Sequence, residues 1–240
     1  MMNSATTRGA WLLWIAAVGF LLALLFFPAS YRLTRLASIA LFAMVWFGLL
    51  ALTWRSRLVR YLLLGISLLA VTFASLPRRA ENDSERLRQE YVVRLQHYEG
   101  VKYFWGGENG LGIDCSGLIR RGLINALFQR GVRTGDGGSI RDAADLWWHD
   151  STASALGAGE GGQTDSVLDT PSVNALDHSG IVPGDLAVTT NGIHIMAYLG
   201  ENRWIEADPA AGRVITVTAP SKDNGWFATP MRIVRWKKLE

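Results

Sequence analysis

One cysteine, Cys115, stands among 240 residues. A lone cysteine excludes an internal disulfide and any zinc site built from several thiolates. Histidine is nearly as scarce, with four in the chain: His97, His149, His178 and His194. Neither charge sign dominates, since 24 Lys and Arg face 21 Asp and Glu, a net charge of +3. The second half carries no basic stripe with interleaved aromatics, so nucleic acid is not an expected partner. Apolar residues are plentiful instead, at 49% of the chain. They crowd into the first 76 positions, and the remainder reads as an ordinary globular domain.

Three apolar runs occupy that first stretch, at about 10–27, 36–54 and 58–76. Each has the roughly 17–25 residues that a helix needs to cross a hydrocarbon core. None has a charge at its middle, and Trp11 and Trp54 sit at run ends as interfacial anchors do. A cleaved signal peptide would explain the first run but not the two that follow at once. Buried core helices would show an amphipathic stripe, which these lack. The arginines at the run ends, Arg32, Arg35, Arg55, Arg57, Arg60, Arg78 and Arg79, are expected to anchor at the membrane edge. Residues 1–79 are therefore expected to form a three-span anchor in the lipid bilayer. Positive charge gives no orientation: Arg8, Arg55, Arg57 and Arg60 fall on one side, and Arg32, Arg35, Arg78 and Arg79 on the other. Arg86 and Arg88 tilt the balance slightly towards a cytoplasmic C-terminal domain.

Residues 80–100 predict a linker helix, capped by Asp83 or Ser84, with Leu87, Tyr91, Val92 and Leu95 near helical spacing and Gly100 at its end. Cys115–Arg130 predicts a second helix, and Ser139–Asp150 a shorter third. Gly157–Thr170 is rich in Gly, Ser and Asp and predicts a loop. Strands are expected at Asp185–Thr189, His194–Leu199, Arg203–Glu206 and Val214–Thr218, with Met231–Trp236 as a further candidate. Helices followed by antiparallel strands predict an α+β domain over 101–240.

Cys115 follows the glycine-rich loop Gly106-Gly107-Glu108-Asn109-Gly110-Leu111-Gly112 and opens a helix. Unpaired N–H groups and the helix dipole at that position favour thiolate and can hold an oxyanion. Structural burial remains the alternative for a lone cysteine. His194, entering an apolar strand, can present its ring at a sheet rim and serve as the base. His97, His149 and His178 lie in less suitable places. Such a base needs an orienting partner, and the next strand offers Glu206 and Asp208 on one face, opposite Ile205. Solvent-facing acids at a strand end are the alternative reading of that pair.

Four motifs stand in order: Tyr103-Phe104-Trp105-Gly106-Gly107, Asp114-Cys115-Ser116-Gly117-Leu118, Pro183-Gly184-Asp185-Leu186, and His194 with Ala197-Tyr198-Leu199-Gly200. Together they resemble the NlpC family of cell-wall cysteine peptidases, over about residues 87–218. The resemblance implies a papain-like fold and hydrolysis of amide bonds in peptidoglycan stem peptides, often beside D-glutamate and a diamino acid. It implies Cys115 as nucleophile and His194 as base, with no metal or organic cofactor. The family's third polar residue is often histidine, and Glu206 holds its place by spacing, with Asp208 as competitor. Tyr103 resembles the family tyrosine near the nucleophile. Asp114 and Ser116 resemble residues of the substrate cleft that can meet a free amino group, and Trp105 belongs to the same expected binding surface.

Two features depart from a minimal domain of this kind. Residues 131–180 form an apparent insert, whose Trp147-Trp148 and polar loop are expected to reshape the cleft or to bind a membrane protein partner. The three spans also replace a secretion signal and wall-binding repeats. Acyl transfer to lipid or amine acceptors, and a non-catalytic scaffold that binds wall peptides, are the competing functions. Peptidoglycan lies outside the cytoplasmic membrane, so a hydrolase places its C-terminal domain on the external, periplasmic side of a multi-pass cell (inner) membrane protein.

Overall fold

A computed structural model describes residues 4–79 and 84–240. Runs of Leu, Ala, Phe and Trp without interior proline form three long helices, α1 (Ser4–Phe26), α2 (Arg32–Leu52) and α3 (Arg57–Ser75). Pro28 follows the end of the first. The segments Arg8–Phe26, Arg32–Leu52 and Arg57–Ser75 are long and apolar enough to cross a membrane. Their large side chains stay exposed, Leu13 at 75% and Phe20 at 67% among them. Apolar surface on this scale marks a site of contact with a membrane or another protein. The helices hold one another by a few specific contacts. Trp14 donates from Nε1 to the Val45 carbonyl at 2.8 Å, and Trp46 donates to Ser67 Oγ at 3.1 Å.

Beyond these helices, α4 (Ser84–Gln96) buries Leu87, Tyr91 and Leu95, which fall on one helical face. Asp83, one of the two expected caps, lies outside the described residues. The helix ends at Gln96, and a turn then reaches Gly100, whose φ of 79° few other residues tolerate. A two-residue hairpin, β1 (Glu108–Asn109) and β2 (Gly112–Ile113), precedes α5 (Cys115–Thr134). After it come α6 (Gly137–Trp148) and the short α7 (Ala153–Gly157).

The strands are β3 (Thr164–Thr170), β4 (Leu186–Thr189), β5 (Ile195–Gly200), β6 (Arg203–Asp208), β7 (Arg213–Thr218) and β8 (Met231–Trp236). They form one antiparallel sheet in the order β3-β8-β4-β5-β6-β7. The fold is thus α+β, as the order of elements predicts. Strand β3 corrects the sequence reading, which made Gly157–Thr170 a loop throughout. The strand runs along the sheet edge from Thr164↔Trp236 to Thr170↔Met231, with a bulge between Ser166 and Leu168. Its outward Asp165, Ser166 and Asp169 are exposed, which is why its composition resembles a loop.

Strand alternation splits the core in two. Ile195, Ala197, Ile205 and Ala207 join Leu118, Ile119 and Leu123 of α5 on one face. Ala187, Met196, Trp204 and Ile233 pack with Val173 and Phe227 on the other. Truncating a fully buried leucine such as Leu123 to alanine costs ~2–5 kcal/mol in such a core.

The apolar helices are fixed to this domain at two points. Arg141 donates to the carbonyls of Ala74 and Leu76 at 2.6 and 2.9 Å. The α1–α2 connection pairs with the loop before Cys115: Ser30 N donates to Gly106 O at 2.8 Å, and Glu108 N to Pro28 O at 3.0 Å. Arg35 is the bolt. It is 2% exposed, and it reaches Ser30 Oγ at 2.9 Å, Glu108 at 2.9 Å and Asp150 at 3.2 Å. The sequence places Arg35 at the membrane edge with the other arginines. The structure instead buries it among carboxylates, because a guanidinium offers five donors to several acceptors at once. The Arg35 guanidinium also lies 5.6 Å from the ring of Trp147, so that part of the apparent insert packs against an arginine of α2.

Candidate active site

Asp114 is the N-cap of α5, in extended conformation with φ −100° and ψ 179°. Its Oδ1 accepts from Gly117 N at 2.6 Å and from Ser116 Oγ at 3.1 Å, and its Oδ2 accepts from Gly106 N at 2.8 Å. Asp114 therefore ties the glycine-rich loop to the helix start and sets the position of the next residue, Cys115. Gly117 makes the close approach possible, since a Cβ there would come within 2.1 Å of the Gly107 carbonyl.

Cys115 is half-buried at the helix N-terminus. The backbone N–H groups of Ile195, Ser116 and Cys115 lie around its sulfur and favour the thiolate. Burial and the neighbouring Asp114 carboxylate act against them and push the thiol up to about 12. The sequence predicts a thiol lowered by the helix terminus, and this is a correction. Desolvation outweighs the dipole here and favours the thiol over the thiolate.

His194 precedes β5. Thr189 fixes its backbone, donating from N to the His194 carbonyl at 3.0 Å and accepting from His194 N at 3.0 Å through Oγ1. The ring is 2% exposed, and its Nε2 meets Glu206 Oε2 directly. Trp226 stacks on the ring with centroids 4.3 Å apart and planes 14° from parallel. Glu206 is fully buried, and Asn224 Nδ2 donates to its other oxygen. Asp208, the competing partner, accepts from Ala210 N at 2.8 Å and from Trp226 Nε1 at 3.4 Å instead. Between the two acids, the imidazole contact belongs to Glu206.

A cavity of about 460 Å³ opens beside the sulfur. Tyr103, Trp105, Asp114, Cys115 and Ser116 all line it, together with Ile193. The volume lies within the ~300–1,000 Å³ of small-molecule sites. His194 is not among the lining residues and lies next in the chain to Ile193, which is one of them. Tyr103 has its hydroxyl pushed up to about 12, first by burial and then by the charges that Cys115 and Asp114 would carry.

The remaining histidines lie elsewhere. His178 Nε2 accepts from Trp204 Nε1 at 3.1 Å, and burial lowers its pKa. His97 and His149 are exposed on helix ends. Among the described residues, no group of three His, Cys, Asp or Glu could hold a metal ion. Sequence reasoning missed Asn224 and Trp226, which sit in a single 3₁₀ turn with no periodic signal, and Arg120. The last donates to Asp150 at 2.5 Å and closes one side of the cavity.

The NlpC/P60 family pattern matches residues 100–235, which contain Cys115, His194 and Glu206. The chain belongs to the NlpC/P60 family. Among solved structures, it is 21% identical to the P60 domain of an antigen from M. avium subspecies paratuberculosis, covering 63% of this chain and 96% of that one, with a TM-score of 0.39. It is 20% identical to the peptidoglycan hydrolase RipB from Mycobacterium tuberculosis, over 64% and 67% of the two chains, with a TM-score of 0.40. NlpC1 from Trichomonas vaginalis is 16% identical with a TM-score of 0.40; the match covers 66% of this chain and 45% of that longer one. No curated protein matches the sequence. Family membership thus rests on the sequence pattern and is consistent with the mixed helix and antiparallel-sheet domain.

Proposed function

We propose that this NlpC/P60 protein is a membrane-anchored cysteine peptidase that hydrolyses amide bonds in peptidoglycan stem peptides. One observation carries the reading. Cys115 opens a helix at its N-terminus and lines a cavity, with Ile195, the residue that follows His194, close to its sulfur, and Glu206 holds the His194 ring.

The reaction is acyl transfer to water. With Nε2 engaged by Glu206, Nδ1 is the ring nitrogen left to take the Cys115 proton. Sulfur bonds to the carbonyl carbon as the proton leaves, and the carbonyl oxygen gains the charge. Of the first N–H groups of α5, Gly117 N is bound to the Asp114 side chain and Leu118 N to the Asp114 carbonyl. The N–H groups of Cys115 and Ser116 remain to hold the oxyanion. Imidazolium then protonates the leaving amine as the C–N bond breaks, leaving a thioester. Water, giving its proton to His194, cleaves the thioester and restores the thiol. Glu206 is a positioning residue, which fixes the tautomer and steadies the imidazolium.

The three apolar helices support a multi-pass placement in the cell membrane, and the substrate supports an external catalytic domain. The test is to quench turnover of a stem peptide with acid and measure the intact protein mass. An adduct equal to the acyl half of the peptide, mapped to Cys115, supports the reading. Turnover with no adduct, undiminished in Cys115→Ala, overturns it.

A further inference from the structure

The α1–α2 connection does more than join two helices. Its backbone pairs with the loop before Cys115, with Ala29 bridging Gly107 in antiparallel fashion. Asn109 Nδ2 adds a bond to the Phe27 carbonyl at 3.0 Å. Tyr31 lies against Gly106, so closely that a Cβ there would come within 2.4 Å of its hydroxyl oxygen. Ser30 and Tyr31 line the same cavity as Cys115. Buried Arg35 locks the connection in place from behind, through Ser30, Glu108 and Asp150.

These wall residues lie between Phe26, the last residue of α1, and Arg32, the first of α2. The cavity therefore sits at the ends of two apolar helices. The second attachment, from Arg141 to the end of α3, holds the domain down at that same end. Trp105 at 73% and Ile193 at 62% are the exposed apolar side chains of the cavity beside the polar Asp150 and Thr152, and Phe27 at 50% and Leu111 at 59% stand exposed in the neighbouring segments. A rim of exposed tryptophan and aliphatic side chains at the end of spanning helices is suited to the lipid interface.

We infer that the anchor itself forms one wall of the catalytic cleft, and that the cleft takes peptides tethered to a membrane lipid, with the scissile amide close to the headgroup. This rests on the peptidase reading above and narrows its substrate to chains presented at the bilayer surface.

The test uses the full-length protein in nanodiscs and one stem peptide in three forms: free in solution, joined directly to a lipid, and joined through a long flexible spacer. Tethering by itself raises local concentration, so both tethered forms gain over the free one. The discriminating comparison is between the two tethers. A cleft at the interface cleaves the directly joined peptide at least as fast as the spaced one, and both about tenfold or more faster than the free peptide. Tyr31→Ala, which removes the wall without touching the Cys115–His194 pair, is expected to lower the preference for the short tether about fivefold or more. A short tether cleaved much more slowly than the long one overturns the inference and leaves the peptidase reading standing. So does equal cleavage of the free peptide, or an unaltered preference in Tyr31→Ala. Cleavage of none of the three forms overturns both.

Discussion

Arg35 and Glu108 are 73 positions apart in sequence and 2.9 Å apart in the structure, both with almost no exposed side chain. Arg120 approaches the same carboxylate at 3.4 Å, and Asp150 bonds both arginines. Two cations and two carboxylates thus join α2, β1, α5 and the end of α6 beneath the cleft.

Removing one member leaves buried charge without its partner. Arg35→Met is expected to destabilise the protein by ~3–5 kcal/mol, because Glu108 keeps only the longer contact to Arg120. Arg78→Met is the control. Its pair with Asp142 is solvent-facing, with Arg78 59% exposed, and such a pair contributes only ~0–1 kcal/mol. Thermal unfolding of the two variants in detergent separates the cases, and equal midpoints would show that the buried network adds nothing.

Glu206→Gln tests how the base is held. The amide oxygen can still accept from Asn224, which leaves the amide nitrogen to donate to His194 Nε2. That favours the tautomer with hydrogen on Nδ1, the nitrogen needed as proton acceptor. A loss of about 10²–10⁴ in kcat with KM little changed is expected. Asp208→Asn, which alters no contact to the ring, should cost far less. Kinetics that rank Asp208 above Glu206 would reverse the assignment.

The thiol of Cys115 responds to pH in a defined direction. Its ordinary value of 9.0 is pushed up to about 12 in the folded protein by burial and Asp114. Alkylation by iodoacetamide in the absence of substrate should therefore be slow at neutral pH and keep rising well above pH 9. Stability follows the same shift. Below pH 9 both folded and unfolded chains carry the thiol, and the contribution is complete. Between 9 and about 12 only the unfolded chain ionises, so stability falls as pH rises through that window. Fast alkylation with a plateau below pH 8 would show a resting thiolate instead.

Much of this was legible in the sequence. The three long apolar helices show as uninterrupted apolar runs, and the helix after Asp114 shows by its cap and its leucines, because both signals are local. Cys115, His194 and Glu206 stand in short motifs, and adjacent strands turn the spacing of the last two into a direct contact. What was hidden depends on distant partners. Arg35 looks like any arginine at a span end until Glu108 and Asp150 fold around it. Tyr31 gives no sign that it will cover Gly106. Strand β3 was masked by the polar residues of an exposed edge, and Asn224 and Trp226 by a turn too short to have a period. The helix terminus predicted an acidic thiol, and only the folded surroundings show how strongly burial opposes it.

Placement across the membrane is open to a direct assay. On the proposed function the cleft meets peptidoglycan, so a reporter fused after Glu240 is expected to be active only on the external side. Periplasmic alkaline phosphatase activity supports this, and cytoplasmic fluorescence with no phosphatase activity rules it out.

The most direct measurement is the hydrolysis of purified peptidoglycan by the full-length protein in nanodiscs, with products weighed by mass spectrometry, for wild type and Cys115→Ala side by side. The account predicts new amine and carboxyl ends within stem peptides for the wild type, and none above background for the variant. Equal cleavage by both proteins, or cleavage confined to glycosidic bonds, would contradict it.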